Sequence, residues 1–222
     1  MARESFENKQ KRARVIFRRL RKEYPTARML LRYSNHWELL VAVMLSAQCT
    51  DIKVNEVTKR LFKKYRTLDD YVHANPKEFE QDIFQTGFYK VKTVHVLGAA
   101  TMLQKEWNSV LPRTIQELIR LPGVGRKTAN VVLGNAYGHA EGIAVDTHVQ
   151  RLSRRLGLSS SENTDKIEQD LMRLVPQAQW FNTTYLCIDH GRAICDARRP
   201  KCDVCPLSTN CPSAFQFPQF KK

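Results

Sequence analysis

Acidic residues are in short supply. Asp and Glu number 22 against 36 Lys and Arg, which leaves this 222-residue chain at +14. A charge of that size draws polyanions to the surface and disfavours cationic partners. Long apolar runs are missing too. The most apolar stretch, residues 37–47, is interrupted by Glu38 and falls well short of the ~20 apolar residues that a membrane span requires. It reads as a buried core helix. No segment pairs a basic face with an exposed aromatic face, which argues against binding at a membrane surface. The basic N-terminus has neither an apolar core nor a cleavage site, so it does not read as a secretory signal. Alternating strand patterns, internal repeats and low-complexity linkers are likewise absent. The chain is long enough for one large domain or two small ones.

The charge is uneven. The first 28 residues hold ten bases (Arg3, Lys9, Lys11, Arg12, Arg14, Arg18, Arg19, Arg21, Lys22 and Arg28) and three acids, or +7. Two readings stand for this run: a solvated helix face, or a surface for phosphates. Nucleic acid is the polyanion expected for the chain as a whole.

The periodicity is helical nearly throughout, which predicts an all-α protein. Phe6, Ala13, Ile16, Phe17 and Leu20 mark an amphipathic first helix. Further helices are expected over 36–47, 51–65, 77–85, 90–106, 114–120, 126–136, 146–156, 164–175 and 180–190. Pro25, Pro76, Pro112, Pro122 and Pro176 are read as punctuation between them. Residues 108–113 and 138–142 are the expected soft points. Residues 212–222 have no helical period and are expected to pack loosely.

One motif lies at the centre of the chain, Leu121-Pro-Gly-Val-Gly-Arg-Lys-Thr-Ala129. Pro122 closes one element, Gly123 and Gly125 allow a tight turn, and a helix opens near Arg126. This is helix–hairpin–helix chemistry. Glycines let backbone approach a phosphate with no Cβ in the way, and the amides of the following helix bind the anion. Such contacts ignore base identity. A packed turn between two helices is the plainer alternative. Lys127 sits in the first turn of that helix. The helix terminus and Arg126 both disfavour an ammonium there and should lower its pKa. A neutral lysine amine can form a Schiff base, whereas a charged one would bind phosphate. Nineteen residues further on, Val145-Asp-Thr-His148 opens another helix. Asp146 is a good N-cap, and an ionised Asp near Lys127 could take its proton. His148 reads as structural rather than catalytic.

Four of the six cysteines fall at Cys195, Cys202, Cys205 and Cys211, a C-x6-C-x2-C-x5-C run among Arg192, Arg198, Arg199 and Lys201. One close pair with two longer arms fits a [4Fe-4S] cubane better than the paired C-x2-4-C arms of zinc knuckles. Zinc and a disulfide cage are the alternatives, and the lack of a secretory signal speaks against the cage. Cys49 and Cys187 are left over, which points to a reducing cytoplasm. A metal-pinned basic loop suits the holding of cations against a phosphate backbone.

Taken together, these segments carry a family resemblance. Leu45-Ser-Ala-Gln-Cys-Thr-Asp51, the hairpin through Leu133, Val145 to His148, His190-Gly-Arg192 and the four-cysteine run stand in the order of the endonuclease III family of helix–hairpin–helix DNA glycosylases. The resemblance covers most of the chain. It implies two domains, a six-helix barrel over 29–139 and a cluster domain joining 1–28 to 140–222, with DNA in the groove between them. It implies a monomeric base excision repair enzyme, cytoplasmic and nucleoid-associated, acting on double-stranded DNA with damaged bases or abasic sites. Lys127 matches the Schiff-base lysine and Asp146 the catalytic aspartate. Gln48 matches the side chain that fills the gap left by the extruded base, and Phe88 a second wedge position where aliphatic residues are familiar. Gly123, Val124, Gly125, Arg126, Thr128, His148, Arg192, Arg198, Arg199 and Lys201 are the further candidate DNA contacts. Family substrates are oxidised or ring-saturated pyrimidines. Monofunctional mismatch glycosylases lack the lysine. Pyrimidine-dimer glycosylases share nearly all the motifs. A non-catalytic DNA-binding or redox-sensing iron–sulfur protein would not need both Lys127 and Asp146. The Lys127–Asp146 spacing is one residue longer than the familiar form, and the extra residue is expected in the 138–142 loop.

Overall fold

Short polar side chains set most of the helix starts. The computed structural model describes residues 4–220. Among the described residues are eleven α-helices and no strand. In eight of them a Ser, Thr, Asn or Asp at the N-cap accepts a first-turn amide: Ser5, Asn35, Thr50, Thr67, Asn75, Thr114, Asp146 and Asn163. Each such cap contributes about 1 kcal/mol. Three helices have no side-chain cap, those following Phe88, Gly125 and Gln179.

The helices are α1 (Phe6–Glu23), α2 (His36–Leu45), α3 (Asp51–Lys64), α4 (Leu68–Val72), α5 (Pro76–Ile83), α6 (Tyr89–Glu106), α7 (Ile115–Leu118), α8 (Arg126–Tyr137), α9 (Thr147–Arg155), α10 (Thr164–Leu174) and α11 (Trp180–Ala193). Two details differ from the sequence reading. Pro76 does not separate helices but opens α5, where its missing N–H is harmless and its fixed φ suits the first turn. The expected helix over 77–85 becomes α5 followed by a 3-10 turn, Phe84–Thr86. The one-turn α4 has no counterpart in the periodicity, because five residues are too few to display one.

The chain divides into two compact units, Leu30–Glu141 and Met1–Met29 with Gly142–Lys222. In the first, α2 packs against α3, α6 and α8, and residues 38–45 are all buried. Glu38 lies within that run, where its carboxylate accepts the Ser34 amide at 2.6 Å. Tyr65, Tyr71 and Phe79 form an aromatic cluster between α3, α4 and α5. The 108–113 segment is better anchored than its sequence suggests, since Leu111 is buried and its carbonyl accepts Tyr137 Oη at 2.6 Å.

In the second unit, α1 lays Ala13, Ile16, Phe17 and Leu20 against a core shared with Val149, Leu152, Ile167, Leu171 and Leu186. Full burial of each large apolar side chain contributes roughly 1.5–3 kcal/mol. The basic run of α1 has a role that neither sequence reading anticipates. Arg12 donates to the carbonyls of Leu156 and Asn210, and Arg19 to Pro206 O and Thr209 Oγ1, each at 2.9 Å. These two cations tie the N-terminal helix to the C-terminal loop. Arg14, Arg18 and Lys22 point outward. Arg3, Lys221 and Lys222 lie outside the described residues.

The tail, which has no helical period, stays largely exposed over 212–220, as expected of loose packing, but it is held at two points. Phe217 lies under the Arg155 guanidinium, 4.6 Å from ring centroid to Cζ, and Gln219 Nε2 donates to Pro200 O at 3.0 Å. Both anchors are contacts with residues distant in the chain, which periodicity cannot register.

Candidate functional site

The hairpin uses its two glycines differently. Gly123 has φ +75°, and a Cβ there would lie 2.6 Å from the His95 ring. Both the conformation and the packing demand glycine. Gly125 has an extended φ of −90° and nothing within 4 Å of a Cβ position. Nothing inside the protein requires glycine there, and its bare backbone leaves the hairpin surface open. Val124 is buried and anchors the turn from beneath. Gly125 provides no side-chain cap, so the amides of Lys127 and Thr128 in the first turn of α8 suit an external acceptor. Arg126 and Lys127 stand exposed in that first turn, with Thr128 half-buried behind them.

Three other turns in the same unit carry strained, exposed residues, one of them at Asn108 and Ser109 with φ 47° and 61°. Gln48 lies in the turn after α2 with φ 54°, and Phe88 precedes α6 with φ 48° and 63% exposure. Left-handed backbone costs a non-glycine residue roughly 1–2 kcal/mol. Beside Phe88, Phe84 and Val91 are also more than half exposed, and Phe84 packs against Tyr89 with ring centroids 4.9 Å apart.

In the other unit, Asp146 caps α9. Its Oδ1 accepts the amides of His148 at 2.9 Å and Val149 at 2.8 Å. Oδ2 makes no hydrogen bond among the described residues. The His148 ring rests against Gly191, in the space a Cβ would take. Its Nδ1 accepts from Arg151 Nη2 at 3.1 Å, and burial, with Arg151 and Arg192 adding to it, lowers its pKa although Asp146 opposes the shift. Within the His190-Gly-Arg192 segment, glycine is therefore a packing requirement.

All four cysteines of the C-terminal run line one cavity, together with Leu152, Leu156, Leu207 and Phe217. All six cysteines are free of disulfides. No three His, Cys, Asp or Glu side chains among the described residues are grouped tightly enough for a single metal ion. Burial pushes the Cys205 thiol up to about 11 and also raises Cys211. Around them, Arg155 Nη1 lies 3.3 Å from Cys195 Sγ and also donates to Asp196 O at 2.6 Å. The Leu207 amide donates to Cys205 Sγ at 3.4 Å. Asp196 Oδ1 accepts the amides of Arg198 and Arg199, which keeps its carboxyl below the usual range and shapes the loop. The Arg192, Arg198, Arg199 and Lys201 residues around this loop are exposed.

Comparison with known proteins decides the affiliation. The profile of HhH-GPD superfamily base excision DNA repair proteins matches residues 41–177. The endonuclease III of Synechocystis sp. is 46% identical over 207 residues, 93% of this chain and 94% of that protein. That of Bacillus subtilis is 45% identical over 189 residues, covering 85% and 86%. The chain belongs to the endonuclease III family. A solved structure of a trapped endonuclease III–DNA covalent intermediate superposes with a TM-score of 0.89 at 43% identity, covering 93% of this chain and 97% of that one. The all-α architecture is thus the endonuclease III fold, and the protein is a homologue of this base excision repair glycosylase.

Several residues of this endonuclease III homologue escape the sequence reading. Lys92 is buried beneath the Gln48 and Phe88 turns. His190 is 1% exposed, with Nδ1 3.1 Å from Tyr24 Oη and Nε2 3.5 Å from Cys205 Sγ, and burial holds its pKa down at about 4. Arg151 and Arg155 brace the Cys195 segment through Cys195 O and Sγ. For His190 the hint was its place in the His190-Gly-Arg192 segment, and for the others a charged group inside an otherwise apolar helical face.

Proposed function

We propose that this protein excises oxidised or ring-saturated pyrimidines from double-stranded DNA and cuts the strand at the resulting site, with Lys127 as nucleophile and Asp146 as its proton acceptor. The observation that carries the reading is an exposed lysine in the first turn of an uncapped helix, directly after a glycine hairpin whose outer face is open. Backbone amides there suit a phosphate, and the lysine amine stands beside them.

In the duplex the glycosidic carbon is shielded, so the nucleotide must first leave the stack, at a cost of a few kcal/mol that is smaller for a damaged pair. Gln48 and Phe88, exposed and held in left-handed backbone, fill the vacated space. The Lys127 amine, having given its proton to Asp146, attacks C1′. The glycosidic bond breaks and the base departs with the bonding pair and a proton. Opening of the sugar gives a protonated Schiff base, which acidifies the 2′ hydrogen. Loss of that proton and departure of the 3′ phosphate break the strand, and water then releases Lys127. The capping bonds to Asp146 Oδ1 hold the carboxylate in place for this role.

Cys195, Cys202, Cys205 and Cys211 would hold a [4Fe-4S] cluster. Four thiols lining one cavity without the tight grouping that a single ion needs fit a polynuclear group better than zinc. When bound, the cluster supplies four iron–thiolate bonds that cross-link the loop carrying Arg198, Arg199 and Lys201. Those cations and Arg192 would meet phosphates.

Borohydride trapping tests the chemistry. Wild-type protein should be captured on abasic and thymine glycol duplexes, and Lys127→Gln should bind DNA without capture. Full capture by that variant would remove Lys127 from its role. A panel of duplexes with one defined lesion each separates oxidised pyrimidines from pyrimidine dimers.

A further inference from the structure

Gln48 and Phe88 are 40 positions apart, yet both hold a conformation that non-glycine residues rarely adopt. Each turn stores strain of roughly 1–2 kcal/mol, which persists only where surrounding structure over-determines it. One side chain reaches both turns. Lys92, in the first turn of α6, is 5% exposed. Its Nζ donates to Leu45 O at 2.7 Å and to Thr86 O at 2.8 Å.

Those acceptors stand at informative places. Leu45 ends α2, and its carbonyl is among those that a helix C-terminus leaves unpaired. The residues that follow it, 46–49, form the turn that presents Gln48. Thr86 ends the 3-10 turn that leads directly into Gly87 and Phe88. Thr86 is itself fixed, with Oγ1 donating to Ile83 O at 2.9 Å.

An ammonium at this position is costly. Burial depresses its pKa, and no carboxylate pairs with it among the described residues. The positive end of α6 adds to the penalty. A methionine would fill much the same space without that cost. What the ammonium provides, and an apolar side chain cannot, is a two-pronged bond between the backbones of the two turns.

We propose that Lys92 is a positioning residue that locks the Gln48 turn and the Phe88 turn in register, so that both side chains enter the duplex as one unit. The proposal rests on the reading of Gln48 and Phe88 as the wedges. Lys92 touches no substrate atom. It acts through the two turns, and the strain they store is held by its bonds.

The test is a mutant cycle on the full-length holoprotein. Single-turnover excision of thymine glycol and fluorescence of a neighbouring 2-aminopurine report wedge entry. Anisotropy on an undamaged duplex reports phosphate binding. Lys92→Met should slow extrusion and excision by about 10- to 100-fold, the scale of a 1 Å misplacement, while binding to undamaged DNA stays within about twofold. In a Gln48→Ala/Phe88→Ala background, Lys92→Met should add no more than about twofold. An equal loss in both backgrounds would mean a structural role only and overturn the proposal, as would undiminished excision by Lys92→Met in the wild type.

Lys92→Gln keeps a neutral donor nitrogen on a shorter stem and should give an intermediate loss that likewise vanishes without the wedges. A further arm needs no change at Lys92. With Lys92 intact, the effects of Gln48→Ala and Phe88→Ala should be non-additive, because one lock governs both turns. Additive effects would overturn the coupling even if every Lys92 variant fails to fold. The premise is tested separately: if removing both wedges leaves excision unimpaired, the wedge reading itself fails.

Discussion

Replacing either hairpin glycine by alanine should separate folding from DNA binding. At Gly123 the backbone has φ +75°, and the new methyl would meet the His95 ring at 2.6 Å. The left-handed conformation costs an L-residue roughly 1–2 kcal/mol and the overpacking roughly 1–3, about 2–5 kcal/mol together. For a chain of this length that lowers the melting temperature by about 4–20 °C. At Gly125 the conformation is ordinary and the space is empty. Gly125→Ala should therefore lose only about 0.5 kcal/mol, the weaker capping of alanine. Its methyl, however, would stand on the hairpin face where a phosphate oxygen approaches the amides. Loss of one hydrogen bond to a charged group is worth about 1.5–3 kcal/mol, or about 10- to 100-fold in affinity. Thermal melts by circular dichroism and anisotropy titrations on an abasic-analogue duplex measure the two effects. Gly123→Ala should fail in the melt, and Gly125→Ala in the titration. Equal melting of the two variants would refute the division of labour, as would wild-type affinity in Gly125→Ala.

Asp146→Asn should lower turnover by roughly 10²-fold with little loss of stability, because asparagine also caps helices well. If thermal stability falls and activity survives, Asp146 is a cap and nothing more. DNA affinity should drop with salt along a log–log slope of roughly −4 to −5 if about five phosphates are neutralised, and Arg198→Ala/Arg199→Ala should make it shallower by about one per lost contact. A flat salt response in the wild type would contradict phosphate-dominated binding. Purified protein should be yellow-brown with about four irons per chain, and Cys202→Ser should lose them. One stoichiometric zinc in an iron-free protein would reverse that assignment.

Local chemistry made much of this molecule legible before any coordinates. Helix starts follow from Ser, Thr, Asn and Asp caps acting over two or three residues, and the hairpin and the cysteine run are likewise short-range patterns. The all-α class, the order of the helices and the candidate nucleophile Lys127 were therefore readable from the chain. The Asp146 cap raised the possibility of a proton acceptor for Lys127, and the family resemblance added the catalytic roles and the wedge positions. Other features depend on which distant backbone groups come within reach. Lys92 bonds a carbonyl 47 residues away, and Arg12 bonds carbonyls 144 and 198 residues away. No periodicity signals such partners, so one lysine among many reads as surface and an N-terminal basic run as solvated or DNA-facing. The two glycines make the same point at a single motif. Their sequence context is nearly identical, but His95, 28 residues before Gly123, makes one of them a packing requirement and leaves the other open. Short-range hydrogen bonding and spacing are written along the chain, whereas burial, close approach and the pairing of remote polar groups exist only once the helices have packed.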